Sequence, residues 1–258
     1  MAAVPRGDAI TLANSRMLIS RTGVQFMMQN PPIILNECAA SAWALSCGEG
    51  AVLHPITGQA PDPSRATGTF CLISIGTGLG VSILHRDAAG LVTVIDTEAG
   101  HSRFAPENDE DAAIERTVRR SVPRVSNEVL LAAPSLAAIR DALAGNTGQS
   151  VPSIRPEEIS RTAGTHNDAV ATAAVAAYAR ALCGFAANLV LSYGAWDGVI
   201  LSGKLPHAIL SALRAPEALA NFHPPTTYTR RLREVPICAA TFEHGKLRGA
   251  ARALTPVH

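Results

Sequence analysis

Charge is scarce in this sequence. Only 17% of its 258 residues are charged, against 47% hydrophobic, which excludes an extended disordered chain and requires a buried core. Neither sign dominates: 22 Lys and Arg stand against 21 Asp and Glu, for a net charge of +1. That balance removes the electrostatic case for nucleic acid or anionic lipid as the main partner. Arg119, Arg120 and Arg124 form a local basic cluster, as do Arg230, Arg231 and Arg233, and both read as solvated faces. The five cysteines, Cys38, Cys47, Cys71, Cys183 and Cys238, include no C-x-x-C pair. Their odd number and wide scatter exclude a disulfide framework and a structural zinc motif. Long apolar runs are missing as well. The longest, Ala169 to Tyr178, is interrupted by Thr172 and falls well short of a membrane span. The first eight residues lack the apolar core of a signal peptide. The expectation is a soluble, cytoplasmic protein with reduced thiols, no membrane association and no nucleic-acid partner.

What is present is an alternation of strand and helix patterns. Ala9 to Ala13 reads as a short strand, Ser15 to Met28 as a weak helix, and Ile33 to Leu35 as a buried strand after Pro31-Pro32. An Ala-rich helix, Cys38 to Ser46, ends at Gly48. Gly58 to Gly68 is a loop. Thr69 to Ile75 and Val81 to His85 are strands on either side of Gly76-Thr77-Gly78-Leu79-Gly80, with Leu91 to Ile95 a third. Helices are expected over Asn108–Arg120, Glu128–Ala132, Ser135–Ala144 and Pro156–Ala163. Asn167 to Leu191 is the strongest element, an apolar helix buried on most sides. The strands Asp197–Leu201 and Val235–Cys238 then alternate with helices at Ala208–Ala215 and Gly245–Leu254. Antiparallel strands, then helices, then strands returning between helices indicate a mixed α/β architecture.

Three short segments carry candidate chemistry. In the glycine turn, successive N–H groups and the Thr77 hydroxyl can cradle phosphates. A glycine hairpin serves a fold as readily as it serves a phosphate, however. No Lys follows at P-loop spacing, and no helix follows at dinucleotide-site spacing. Glu98 and His101, in Glu98-Ala99-Gly100-His101, offer a carboxylate and an imidazole that suit vicinal sugar hydroxyls, each both donor and acceptor; an ordinary polar loop has the same composition. Asn36-Glu37 pairs an amide that can fix a hydroxyl with a carboxylate that can take its proton. It can equally be the cap of the following helix.

Order and spacing separate these alternatives. Asn-acid before an Ala-rich helix, strand-G-T-G-L-G-strand, then Glu98-x-Gly100-His101-x-x-Phe104-Ala105-Pro106, then Ser126-x-Glu128 before a helix, resembles the bacterial glucokinase family. That family belongs to the actin/hexokinase/Hsp70-like superfamily of two-lobed kinases. The likeness runs from the Pro5 turn to the C-terminal helix. It implies an α/β, two-lobed actin/hexokinase-like (ribonuclease H-like) fold with an incomplete N-terminal lobe. Residues 1–68 would be part of a small lobe and residues 69–258 a large lobe with the sugar and nucleotide loops.

By position, the resemblance implies that Asn36 holds a glucose hydroxyl and that Glu37 takes the place of the catalytic aspartate. Glu98, His101 and Glu128 would bind the sugar ring. Gly76, Thr77, Gly78 and Gly80 would form a phosphate loop, and Ser202, Gly203 and Lys204 the loop that packs on adenosine. The implied reaction is in-line transfer of the γ-phosphoryl group of ATP, with Mg²⁺, to the 6-hydroxyl of glucose or a related hexose. A homodimer is the family expectation. The absence of a cysteine-rich zinc motif near the sugar histidine favours this branch over its repressor-like relatives.

The pattern also departs from the family. The Asp-x-Gly-Gly-Thr phosphate loop of the opening hairpin does not occur in the sequence, and an open sheet edge and an uncovered apolar face would follow. Glu37 replaces Asp, one methylene longer. Ala99 and Lys204 each replace a glycine, and Ala133-Pro134-Ser135 replaces Gly-Pro-Gly. Lys204 would narrow the adenine shelf or meet a phosphate. Three readings therefore stand at this point: a glucokinase-type enzyme, a catalytically silent sugar-binding relative, and a remnant that does not fold alone.

Overall fold

The computed structural model describes residues 7–11, 17–48, 50–149, 151–163 and 168–254. Residues 12–13, 15–16 and Asn167, assigned above to the first strand, the first helix and the long helix, lie outside that set.

The chain opens with a two-stranded antiparallel hairpin, β1 (Ala9–Thr11) and β2 (Leu18–Ser20), leading into helix α1 (Arg21–Met28). Asp8 organises this unit. One of its oxygens accepts from the Thr22 N–H and hydroxyl at 2.6 Å, the other from the Ser20 hydroxyl at 2.7 Å. These bonds hold the Asp8 carboxyl below the usual carboxylate range, the Thr22 side-chain bond contributing most. Helix α1 buries none of its residues: Phe26, Met27 and Met28 are exposed, as are Met17, Leu18 and Ile33 elsewhere in this segment.

Helix α2 (Glu37–Leu45) follows, capped by Asn36, whose Oδ1 accepts from the Ala39 N–H at 2.6 Å. The expected strand at Ile33–Leu35 does not form. The strand β4 (Gly68–Ile75) is paired on both edges. A strand not anticipated from sequence, β3 (Ala51–Thr57), forms instead, with Pro55 and a register shift between Pro55 and Thr57. Proline is tolerated there because β3 is an edge strand.

The main sheet has six strands. The meander of β4, β5 (Leu79–Arg86) and β6 (Val92–Thr97) is antiparallel, and a short 3-10 turn, Ala99–His101, leaves its end. Helices α3 (Asp109–Val118), α4 (Asn127–Leu131), α5 (Ser135–Asn146), α6 (Pro156–Ala163) and α7 (Ala169–Tyr193) come next. Strand β7 (Gly198–Ser202) then returns parallel to β4. Four short helices, α8 (Lys204–Ala208), α9 (Leu210–Leu213), α10 (Pro216–Phe222) and α11 (Thr229–Glu234), lead to β8 (Ile237–Phe242) and the closing α12 (Gly245–Ala253). The strand order is β3-β8-β7-β4-β5-β6. Both α2 and β3, which precede residue 69, pack on elements that follow it.

Both faces of the sheet are covered, so its central strands read as continuous apolar runs. In β4, Cys71, Ile73 and Ile75 join the core under α7, while Phe70 and Leu72 join Cys38, Ala42 and Leu45 of α2 on the other face. Helix α7 extends well past the Ala169–Tyr178 run. By length and composition it could cross a membrane, but 78% of its apolar window is buried inside the protein. It is the core helix. Buried Tyr178 donates its hydroxyl to the Leu131 carbonyl at 2.6 Å, locking α4 to α7.

Candidate active site

Two groups of residues meet at one end of the sheet. The first gathers around the 3-10 turn after β6. His101 lies 3.6 Å from Glu98 through Nε2 and 3.6 Å from Glu128 through Nδ1. Both separations exceed a direct hydrogen bond, so all three side chains keep bonding capacity for a ligand. Glu128 is positioned by α4, which Ser126 caps by accepting from the Val129 N–H. The buried Asn127 amide holds α4 against the turn, donating to the Ser102 carbonyl and hydroxyl at 3.2 and 2.9 Å. The remaining Glu128 oxygen accepts the Leu79 N–H at 2.9 Å. The His101 cluster and the glycine turn are therefore joined through one carboxylate.

Asn36 enters the same neighbourhood from α2. Its Nδ2 donates to Asp96 of β6, two residues before Glu98. Asp96 was not anticipated from the sequence, although its i, i+2 spacing from Glu98 follows a strand's repeat. Burial, and then the charge of Glu98, raise the Asp96 carboxyl above its ordinary value. Asn36, Asp96, Glu98, His101 and Glu128 form a continuous polar row.

The second group lines a cleft of about 1350 Å³. It opens at the C-terminal ends of the parallel strands β4, β7 and β8, the usual ligand end of such sheets. Gly76 and Thr77 line it after β4, and Ser202, Gly203 and Lys204 after β7. Gly203 has φ 124°, and a methyl there would overlap the Ile75 carbonyl oxygen, so the two loops touch through backbone. Gly78 and Gly80 do not line the cleft; their hydrogen-side faces meet Glu128 and Cys38. Sequence reasoning missed Arg155, Arg161 and Lys246, which add positive charge to the cleft wall, and His244, which also lines it.

Glu37 belongs to the cleft, whereas its neighbour Asn36 belongs to the polar row. The Glu37 carboxylate pairs with Lys246 Nζ of α12 at 2.5 Å. That hydrogen bond holds its carboxyl below the usual range, so it is ionised at neutral pH.

Comparisons with known proteins give the family of the chain. Residues 1–257 match the family profile described as Glucokinase. A glucokinase of Stenotrophomonas maltophilia is 30% identical over 250 residues, covering 95% of this chain and 73% of the relative. The chain belongs to the glucokinase family. Members of that family are ATP-dependent sugar kinases. The crystal structure of a glucokinase from an Antarctic psychrotroph superposes with a TM-score of 0.81 at 25% identity, over 98% of this chain and 78% of that one. A glucokinase from Balamuthia mandrillaris, crystallised in complex with glucose, superposes at 0.78 and 17% identity, over 96% and 74%. The glucokinase fold is thus that of the actin/hexokinase-like sugar kinases, with a mixed six-stranded sheet at its centre.

Proposed function

We propose that the chain transfers the γ-phosphoryl group of ATP to the 6-hydroxyl of glucose, with the polar row holding the sugar and the cleft holding the nucleotide. The observation that supports this reading is the split between Asn36 and Glu37. Consecutive residues at one helix N-terminus face the two sites, so Glu37 stands where acceptor and donor meet.

In this mechanism Asn36, Glu98, His101 and Glu128 bind ring hydroxyls, and the Glu37 carboxylate accepts the proton of the attacking hydroxyl. The new bond joins the sugar oxygen to the γ-phosphorus. The bond to the β–γ bridging oxygen breaks, and ADP leaves. Gly76 and Thr77 face the phosphates, and Ser202, Gly203 and Lys204 face the nucleoside. Among the described residues no group of three or more His, Cys, Asp or Glu side chains is arranged to hold a metal ion. Mg²⁺ therefore enters as the companion of the triphosphate, the usual mode for nucleotide sites. The same reading places the protein in the cytoplasm, acting on glucose or a related hexose, as a homodimer. It divides the chain into residues 1–68, part of a small lobe, and 69–258, the large lobe.

A coupled assay for glucose-dependent ADP release tests the proposal, with Glu37→Gln as the control. The variant should lose turnover by a hundredfold or more, on the order of a removed general base, while calorimetry shows glucose still bound. Glucose binding without turnover in the unaltered chain would make it a silent sugar-binding relative instead. Full activity in Glu37→Gln would assign the base elsewhere.

A further inference from the structure

The base position is occupied in an unusual manner. Glu37 and Lys246 are 209 residues apart in sequence, yet their side chains pair at 2.5 Å at the cleft rim. Both side chains are exposed, Lys246 at 58% and Glu37 at 50%, but the backbone beneath them is closely packed. Helix α12 packs closely on α2, and Gly249 makes that approach possible: a methyl at Gly249 would overlap the Ala40 carbonyl oxygen. Gly249 lies three residues after Lys246, as Ala40 lies three after Glu37. The two contacts are therefore one turn apart on both helices, in the same order. The crossing that needs Gly249 also delivers the ammonium to the carboxylate.

Lys246 has a second face. It lines the same cleft as Gly76 and Thr77, where the phosphates are proposed to lie. A single ammonium is thus within the domain of two anionic partners, one always present and one arriving with the nucleotide. A carboxylate neutralised by a lysine is a poor proton acceptor, and one released from it is a better one.

We propose that Lys246 is a positioning residue that holds the Glu37 carboxylate in the nucleotide-free chain and is drawn onto the phosphates when ATP enters, freeing Glu37 for the sugar hydroxyl. This rests on the reading of Glu37 as the base. It gives the nucleotide a direct part in activating the acceptor. Without ATP the base is masked, and with ATP in place it is exposed.

Other charged groups around Glu37 have their own engagements or positions. Asp96 of β6 faces Asn36, and Arg86 of β5 is held on the Ser46 carbonyl at the far end of α2. Cys38 and Cys71 of the packed face are buried, with thiols pushed up by burial, Cys38 to about 11. His244 lines the cleft ahead of α12. Lys246 is the group bonded to the carboxylate.

The test compares Lys246→Met, Lys246→Arg and Glu37→Gln in steady-state kinetics from pH 5 to 9, with thermal melting as a fold check. Lys246→Met should raise the KM for ATP about tenfold, the loss of one charged phosphate contact, and leave the KM for glucose unchanged. It should also move the acid limb of the kcat/KM profile for ATP to higher pH, since that limb reports the nucleotide-free enzyme. Lys246→Arg should restore both. If Lys246→Met shifts neither the limb nor the ATP KM while Glu37→Gln is inactive, the inference fails and the base assignment survives. A fall in kcat alone, with limb and KM unmoved, would make Lys246 a packing residue and overturn it too. An active Glu37→Gln would instead remove the assignment on which the inference rests.

Discussion

Glu128 accepts the Leu79 N–H at 2.9 Å on one oxygen and stands 3.6 Å from His101 on the other. One carboxylate therefore touches the glycine turn and the His101 cluster together. Replacing Glu128 by Gln keeps an acceptor for Leu79 but removes the negative charge beside His101. Hydrogen bonds to charged groups contribute roughly 1.5–3 kcal/mol, so glucose affinity should fall by about tenfold or more. Nucleotide affinity should be little changed. Calorimetric titration with glucose, and separately with a non-hydrolysable ATP analogue, checks this. Equal loss for both ligands would mean that Glu128 acts through the turn rather than on the sugar.

Gly203 meets the end of β4 with no room for a side chain, in a backbone conformation that L-residues rarely adopt. Gly203→Ala should therefore be among the most damaging single-methyl changes in the protein. Backbone strain of this kind costs about 1–3 kcal/mol, before any displacement of the Ile75 carbonyl. Lowered melting temperature together with weakened nucleotide binding is expected, because the cleft wall is built on this contact. Unaltered melting would show that the loop after β7 shifts freely away from β4.

Much of this architecture was legible in the sequence because local pattern and final environment agree. The apolar runs of β4 and β5, the glycine turn between them and the Asn36 cap all lie where the residues place them. Helix α6 was read to its end residues, Pro156 and Ala163. The failures have physical causes. Strand β3 was hidden by Pro55, which argues against a strand until its edge position is known. Ile33–Leu35 has strand-like residues, but the run is only three residues long, between Pro32 and the Asn36 cap. The short helices α10 and α11 carry too few residues for a periodic signal. In the site, the segments that form the cluster lie within a short stretch of chain and could be read together. Asp96 and Lys246 could not, because their roles arise from contacts 60 and 209 residues away. No periodicity within one element reports such a pairing. Gly78 and Gly80 show the converse limit: a motif identifies a turn, but only packing shows which glycines line the cleft and which face the protein.

Asp96 supplies a pH-dependent prediction. Its carboxyl is raised above the ordinary value near 3.9, by burial first and by the Glu98 charge second. In the window between the ordinary and the raised value, the folded protein keeps a proton that the unfolded chain has released. Stability through this group therefore falls as pH rises through that window, and the penalty persists above it. Asp96→Asn removes the titration while leaving an oxygen for the Asn36 amide. The variant should melt no lower than the unaltered chain at neutral pH, and its melting temperature should vary less across the acid range. Melting curves from about pH 4 to 7 settle the matter. A variant that melts lower at neutral pH, with an unchanged acid slope, would mean that the ionised Asp96–Asn36 contact stabilises the fold more than burial of the charge opposes it.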